Sequence, residues 1–299
     1  SVGRPADRFH HERSMCMEYT ILDLEWNSVY SKKMAGYFNE VIQFGAVRLN
    51  AALKETGRFA TFVRPVEGTR LTGLVEELTG ITNEDVQAGA TFSEAYRQFR
   101  AFADGSVLMT WGDGDVRELV HNCAYHSGDE CLHLNCSYVN LQDVCQEKLK
   151  QPASRQIGLA DAAAMLEIPA DTLALHRAID DSVLSAECLR RTFDEDALKL
   201  RCVPVDEEFC RRLAFKNKYI TDRRSPLIDR KQLEFCCPIC GGSLDGAQDW
   251  SVQNKQFFRR LRCPACDRKY KARVQFKQKF DGVQVRRQIT VDVPQKGTA

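Results

Sequence analysis

The chain has 299 residues, of which 43% are hydrophobic and 28% charged, with a formal net charge of +1. That length admits one substantial domain and a smaller one, and the balance is that of a soluble globular protein rather than a disordered or collagen-like one. No apolar run approaches bilayer length, no signal-peptide pattern is present, and 13 cysteines are an odd number in a chain too long to need a disulfide scaffold, so a cytoplasmic protein without a membrane partner is expected.

Residues 1–14 are polar and aperiodic and precede Met15 and Met17, so they are expected to be an N-terminal extension or an expression remnant. The stretch Tyr19 to Trp26 reads as an apolar strand ending in two carboxylates one residue apart, Asp23 and Glu25. Strand side chains alternate, so the two acids share a face and repel unless a cation neutralises them; a hard divalent ion with oxygen ligands suits that need. Val41–Leu49 and Phe59–Val63 read as two further strands. From Leu71 the period becomes helical, with Leu74, Leu78 and Ile81 on one face, and Thr91-Phe92-Ser93-Glu94 opens an amphipathic helix reaching about Ala103.

Val107–Trp111 is expected as a buried strand, and Gly112-Asp113-Gly114-Asp115 turns the chain into a helix through Leu119. Acids at such a strand exit stand where open α/β sheets place their chemistry. Helices near Leu141–Leu149 and Leu159–Leu166 follow, then a long helix entered through Leu175-His176-Arg177-Ala178-Ile179-Asp180-Asp181, with Val183, Leu184, Ala186 and Leu189 toward the core. The expected organisation is a catalytic domain over 15–200, a connector over 201–232, and a separate unit over 233–299 that ends in a hairpin around Asp281-Gly282.

Collected in order, the acids at strand ends and helix starts are Asp23, Glu25, one of Asp113 or Asp115, and one of Asp180 or Asp181, joined by His176. This set resembles the DEDDh superfamily of 3′-to-5′ exonucleases. The segments Asn39 to Val47, Val63-Arg64-Pro65, Glu77 to Thr82 and His176 to Asp181 share the resemblance, which spans roughly residues 17–195 and is closest to the branch that trims small RNAs, histone messages and ribosomal RNA ends. The resemblance implies an α/β, ribonuclease H-like mixed sheet flanked by helices. Its spacing selects Asp115 and Asp181 as the remaining metal ligands and His176 as general base. It also implies two Mg²⁺ ions, with Mn²⁺ able to substitute: Asp23, Glu25 and Asp181 hold one, and Asp23 bridges to a second supported by Asp115. Glu25 is further implied to accept a hydrogen bond from the terminal 3′-hydroxyl, and Trp26 is read either as a stacking platform for the last base or as core packing.

Cys237-Pro238-Ile239-Cys240 and Cys263-Pro264-Ala265-Cys266 form two CxxC pairs separated by 22 residues. Four thiolates so spaced suit one structural Zn²⁺ and resemble a zinc ribbon, with Cys236 the neighbour left out. Residues 201–299 hold 22 Lys and Arg against 11 Asp and Glu, leaving 20 against 30 in residues 1–200. The basic part would attract a polyanion that the acidic part repels without its metals. Arg259, Arg260, Arg262, Lys269, Lys271 and Arg273, interleaved with Phe257, Phe258, Tyr270, Phe276 and Phe280, read as a small β zinc-ribbon domain that grips nucleic acid, with a protein partner as the other use of the surface. The crowd His121, Cys123, His126, Cys131, His133 and Cys136 matches no standard zinc spacing and is not expected to be a site. The reading is a metal-dependent 3′-to-5′ exonuclease that prefers RNA 3′ ends. The competing class is a non-catalytic nucleic-acid-binding or adaptor protein on the same fold.

Overall fold

The computed structural model describes residues 17–152, 155–169 and 177–292, so the expectations for residues 1–14 and for His176 fall outside the described residues. The chain divides into two compact units, residues 1–214 and 215–299.

In the first unit, β1 (Tyr19–Ser31) and β2 (Gly36–Leu49) pair antiparallel and β3 (Glu55–Phe62) adds to β2 in the same sense. After α1 (Gly73–Thr79), α2 (Asn83–Gln87) and α3 (Phe92–Ala103), β4 (Val107–Thr110) joins β1 in parallel. Next, α4 (Gly114–Ser127) leads to β5 (Ser137–Asn140), parallel to β4, and α5 (Leu141–Lys148), α6 (Leu159–Met165), α7 (Ala178–Thr192) and α8 (Glu195–Arg201) follow. β6 (Val203–Pro204) closes the sheet antiparallel to β5, and α9 (Glu207–Ala214) ends the unit. The order is β3-β2-β1-β4-β5-β6, the mixed, helix-flanked sheet expected.

Helices cover both faces, which is why β1 begins as a continuous apolar run. Leu22 and Leu24 pack with Phe92 and Phe99 of α3 and Val116 and Leu119 of α4, while Tyr19 and Ile21 pack with Val144 of α5 and Leu184 and Leu189 of α7. The start of α3 is held by a capping box: Thr91 Oγ1 accepts from the Glu94 amide at 3.3 Å and Glu94 Oε2 accepts from the Thr91 amide at 3.0 Å.

Two local expectations need correction, and one strand was not anticipated. α4 runs on to Ser127, two turns past Leu119, because Asn122, Cys123 and Tyr125 keep one face buried until Gly128, at φ 77°, stops it. Leu74 and Leu78 have helical spacing, yet they are 64% and 52% exposed; of that apolar set only Ile81 enters the core. β5 has two buried residues in four and shows little apolar pattern, so its strand character comes from pairing with β4 and β6.

The second unit is a five-stranded antiparallel sheet. β7 (Lys218–Ile220), β8 (Ser251–Gln253), β9 (Gln256–Arg262), β10 (Lys269–Lys279) and β11 (Gly282–Val291) surround a core of Trp250, Phe257, Tyr270, Val274 and Phe276. Lys279 pairs with Gly282, so the two-residue loop of the last hairpin is Phe280-Asp281 rather than Asp281-Gly282. Residues 201–232 are shared out between the units: Val203–Pro204 extends the first sheet and Lys218–Ile220 the second.

Candidate active site

One oxygen from each of Asp23, Glu25 and Asp181 lies within 4.8 Å of the others. The first two stand in the middle of β1, which runs on to Ser31 instead of ending at them, where the paired register with β2 shifts between Glu25 and Trp26. Asp181 comes from the first turn of α7. That turn can reach β1 because Gly45 on β2 carries no side chain: a Cβ there would meet Ala178 C at 2.1 Å and Ile179 N at 2.2 Å. Two hydrogen bonds fasten the contact. Ala178 N donates to Gln43 Oε1 at 3.2 Å and Ser182 Oγ donates to the Gly45 carbonyl at 2.8 Å. Arg177, just before α7, donates to the Gly80 carbonyl at 2.7 Å and so ties the end of α1 to the same place.

Asp115, in the first turn of α4, is buried and accepts from the Leu24 amide at 3.1 Å, between the two acids of β1. It stands beside the convergent three rather than among them. Asp113 turns away to Tyr138 Oη at 2.9 Å and Asn140 Nδ2 at 3.1 Å, and Asp180 acts on Arg58. Trp26 follows the alternation of β1 onto the Leu22 and Leu24 face, half-buried against the core and away from Asp23 and Glu25. Sequence reasoning passed over the buried polar groups that hold this end of the sheet. Asn122 accepts from Val41 N at 3.1 Å and donates to the Asn39 carbonyl at 2.9 Å, while the Glu40 carboxylate accepts from the amides of Val66, Glu67 and Gly68. A polar residue of no regular period was the available signal.

Crowding of like charges in a desolvated place raises the proton affinity of these acids. Burial, then Asp181 and Asp115, push Glu25 up to about 8, with Arg177 opposing. Burial also raises Asp115 to about 7, against the Leu24 amide, and burial followed by Asp115 and Glu25 lifts Asp23 well above the usual carboxylate range. The donor set therefore fits a divalent cation: all oxygen, all anionic, and held together at an electrostatic cost that a cation removes. The sign of the pH effect follows. Folded Glu25 and Asp115 keep protons that the unfolded chain releases near pH 4, so the stability tied to them falls as pH rises toward 7 to 8. A cation replacing those protons reverses the loss, so Mg²⁺ should raise the melting temperature more at about pH 8 than at about pH 6. Calorimetry with and without Mg²⁺ checks this, and equal shifts at the two pH values would place the bound ion elsewhere.

Residues 20–189, over half of the chain, match the RNase T family described as "Exonuclease". The chain belongs to the exonuclease family. The chain is 29% identical over 202 residues to "DNA polymerase III PolC-type" of Clostridium perfringens, covering 64% of this chain and 12% of that protein. It is 28% identical over 110 residues to "Probable 3′-5′ exonuclease KapD" of Bacillus subtilis, covering 36% of this chain and 53% of that one. The chain thus spans 12% of the length of the polymerase relatives. Among solved structures, the nuclease domain of 3′hExo, "a DEDDh family member, bound to rAMP", aligns with a TM-score of 0.53 at 22% identity, covering 64% of this chain and 98% of that one. The 3′-exonuclease of "3′-end specific recognition of histone mRNA stem-loop by 3′-exonuclease" aligns with a TM-score of 0.52 at 22% identity, covering 62% of this chain and 85% of that one. These likenesses show the fold.

Outside the exonuclease domain, Cys237, Cys240, Cys263 and Cys266 bring their sulfurs within 4.8 Å of one another. Two matching turns do this. Gly241 N donates to Cys237 O and Asp267 N to Cys263 O, both at 2.9 Å, and Cys237 N and Cys263 N bond back to Gly242 O and Arg268 O. Gly241 and Asp267 both adopt positive φ, 72° and 53°. The nearest sulfur pairs are 3.4 and 3.5 Å apart, too far for disulfides, whose S–S length is about 2.05 Å, and the four thiol donors suit a Zn²⁺ ion. Tyr270 Oη donates to Cys237 Sγ at 3.2 Å and holds that thiol down at about 6. Metal analysis should find one zinc per chain. Cys263→Ser should lose it, together with the cooperative melting of the C-terminal unit, because binding free energy of this kind is folding free energy; a zinc-free protein with an unchanged melt would refute the assignment.

The basic residues divide. Arg260, Arg262, Lys269, Lys271 and Arg273 share the outward face of the second sheet, but Arg259 turns inward and donates to the carbonyls of Gly246 and Gln248. Arg262 is paired with Asp267, and Asp292 holds Arg260 at 3.3 Å and Lys271 at 2.7 Å. Among the described residues the crowd from His121 to Cys136 forms no metal-type group. His126 stacks on Phe92 with ring centroids 4.6 Å apart, His133 meets Asp129 at 2.6 Å, and burial pushes the Cys123 and Cys136 thiols up to about 12. No described helix is long and apolar enough to cross a membrane.

Proposed function

We propose that the chain hydrolyses polynucleotides from the 3′ end, RNA in preference to DNA, releasing nucleoside 5′-monophosphates. The observation that carries this reading is the convergence of Asp23, Glu25 and Asp181, with Asp115 beside them, in a place where their charges repel. Asp23, Glu25 and Asp181 would hold one divalent ion and Asp23 and Asp115 a second, Mg²⁺ or in its place Mn²⁺. Bound there, such a pair stabilises the charge that develops on the attacking and leaving oxygens of a phosphodiester. The chain's own groups do the rest. His176 takes the proton of the attacking water, the bond from phosphorus to the 3′-oxygen breaks, and the leaving oxygen is protonated from solvent. Glu25 accepts from the terminal 3′-hydroxyl, so cleavage begins at an end. A non-catalytic adaptor would have no need to keep four repelling acids together.

The preference for RNA draws support from neighbours that are an exonuclease on a histone mRNA stem-loop and a nuclease domain with rAMP. The polymerase relatives favour a second reading, a DNA-directed exonuclease. Matched RNA and DNA oligonucleotides labelled at the 5′ end, with Mg²⁺ and with EDTA, decide between them. The expected result is a ladder of RNA shortened from the 3′ end in Mg²⁺ alone; binding without shortening would favour the adaptor, and faster DNA shortening the second reading. His176→Ala should slow the reaction on the order of a hundredfold or more, the usual scale for loss of a general base.

A further inference from the structure

We propose that the outward face of the C-terminal sheet, at Phe258, Arg273, Lys277 and Tyr219, binds single-stranded polynucleotide by stacking bases on the two rings and holding phosphates on the cations beside them. The inference rests on the reading of the exonuclease domain as a nucleic-acid enzyme and adds a second binding surface for the same substrate.

The face is made by the alternation of β10. Tyr270, Ala272, Val274 and Phe276 are buried in the unit's core, which leaves Lys271, Arg273, Gln275 and Lys277 on the other side. Cross-strand pairing then sets an aromatic beside two of these cations. Phe258 on β9 pairs with Arg273, whose guanidinium lies 5.6 Å from its ring centre. Tyr219 on β7 pairs with Lys277. Its ring, in a residue 38% exposed, has Lys277 Nζ 5.6 Å and Lys255 Nζ 5.3 Å from its centre. On the opposite flank the registered partners of Arg273, Gln275 and Lys277 are Gln288, Arg286 and Gln284. No carboxylate occupies any of these paired positions, whereas the neighbouring cations Arg260 and Lys271 are answered by Asp292. The two rings stand four β10 positions apart, on the order of 13 Å along the strand.

Exposed rings flanked by cations, at cross-strand positions that hold no acid, form a stacking platform with phosphate sites. A protein ligand would not require that every polar group there be cationic or neutral. Stacking does not read the 2′-hydroxyl, so the platform is expected to accept RNA and single-stranded DNA alike.

The test uses the full chain carrying Asp23→Asn, which prevents cleavage without a chelator that would strip zinc from the four cysteines, and fluorescence anisotropy of a labelled oligonucleotide, RNA and DNA in separate arms. Tyr219→Ala and Phe258→Ala should each weaken binding about tenfold in both arms without changing its salt dependence. Tyr219→Trp and Phe258→Trp should retain it, which separates stacking from folding. Arg273→Gln with Lys277→Gln should instead flatten the slope of log affinity against log salt by roughly 1.4, about 0.7 for each phosphate no longer neutralised. Wild-type affinity in both alanine variants, or an unchanged slope in the charge variant, overturns the proposal and leaves the face to a protein ligand. Shortening with Mg²⁺ is scored separately: an inactive chain whose binding still responds to these variants keeps the face and loses only the activity.

Discussion

Asp23→Asn is expected to leave a folded protein that no longer cleaves. The side chain is close to isosteric, so packing is preserved, but an amide is a poor ligand for a hard cation, and Asp23 is the residue proposed to serve both ions. Losing several kcal/mol of charge stabilisation in the transition state corresponds to a rate lower by on the order of a thousandfold or more. The stability effect should have the opposite sign. Asp23 carries a strongly raised proton affinity because burial and the charges of Asp115, Glu25 and Asp181 disfavour its anion. Removing that charge relieves the repulsion, so at neutral pH without metal the variant should melt no lower than the wild type, and its Mg²⁺-dependent rise in melting temperature should be lost. Asp181→Asn should behave alike in the cleavage assay. Retained cleavage in either variant would rule out this metal assignment.

Gly45→Ala should damage both the fold and the chemistry. The added methyl would stand 2.1 Å from Ala178 C and 2.2 Å from Ile179 N, both backbone atoms, so no side-chain rotation relieves the clash. The first turn of α7 must retreat and stretch the bonds to Gln43 and from Ser182. Overpacking of this kind costs about 1–3 kcal/mol, and each weakened hydrogen bond adds about 1 kcal/mol. For a domain this size that lowers the melting temperature by roughly 2–4 °C per kcal/mol. The same retreat moves Asp181 from Asp23 and Glu25, and a misplacement near 1 Å costs on the order of a hundredfold in rate. Gly73→Ala is the control, since a Cβ there meets nothing within 4 Å. If Gly45→Ala melts and cleaves like the wild type, the close approach of α7 to β2 is not what positions Asp181.

Much of this arrangement is written in local pattern. The period-two run into Asp23 and Glu25 shows that the two acids share a face, the Thr91 and Glu94 pair marks the start of α3, and two CxxC pairs announce a four-sulfur site, because each of these signals is set by residues a few positions apart. What the sequence alone does not order is whatever depends on neighbours distant along the chain. Two acids stood at the turn after β4, and only the packing of α4 against β1 sends Asp115 to the Leu24 amide and Asp113 to Tyr138. Arg259 looks like its neighbours in a basic run, yet its place in β9 turns it inward to two carbonyls. Tyr219 lies far before the cysteine unit and gains its setting from a strand pairing with Lys277. Leu74 and Leu78 carry a helical period, but a period states which residues share a face and not whether anything packs against it. Composition and spacing determine the chemistry a chain can offer, while the direction each side chain takes is decided by long-range packing, whose partners are chosen only when the sheet and its helices close around a common core.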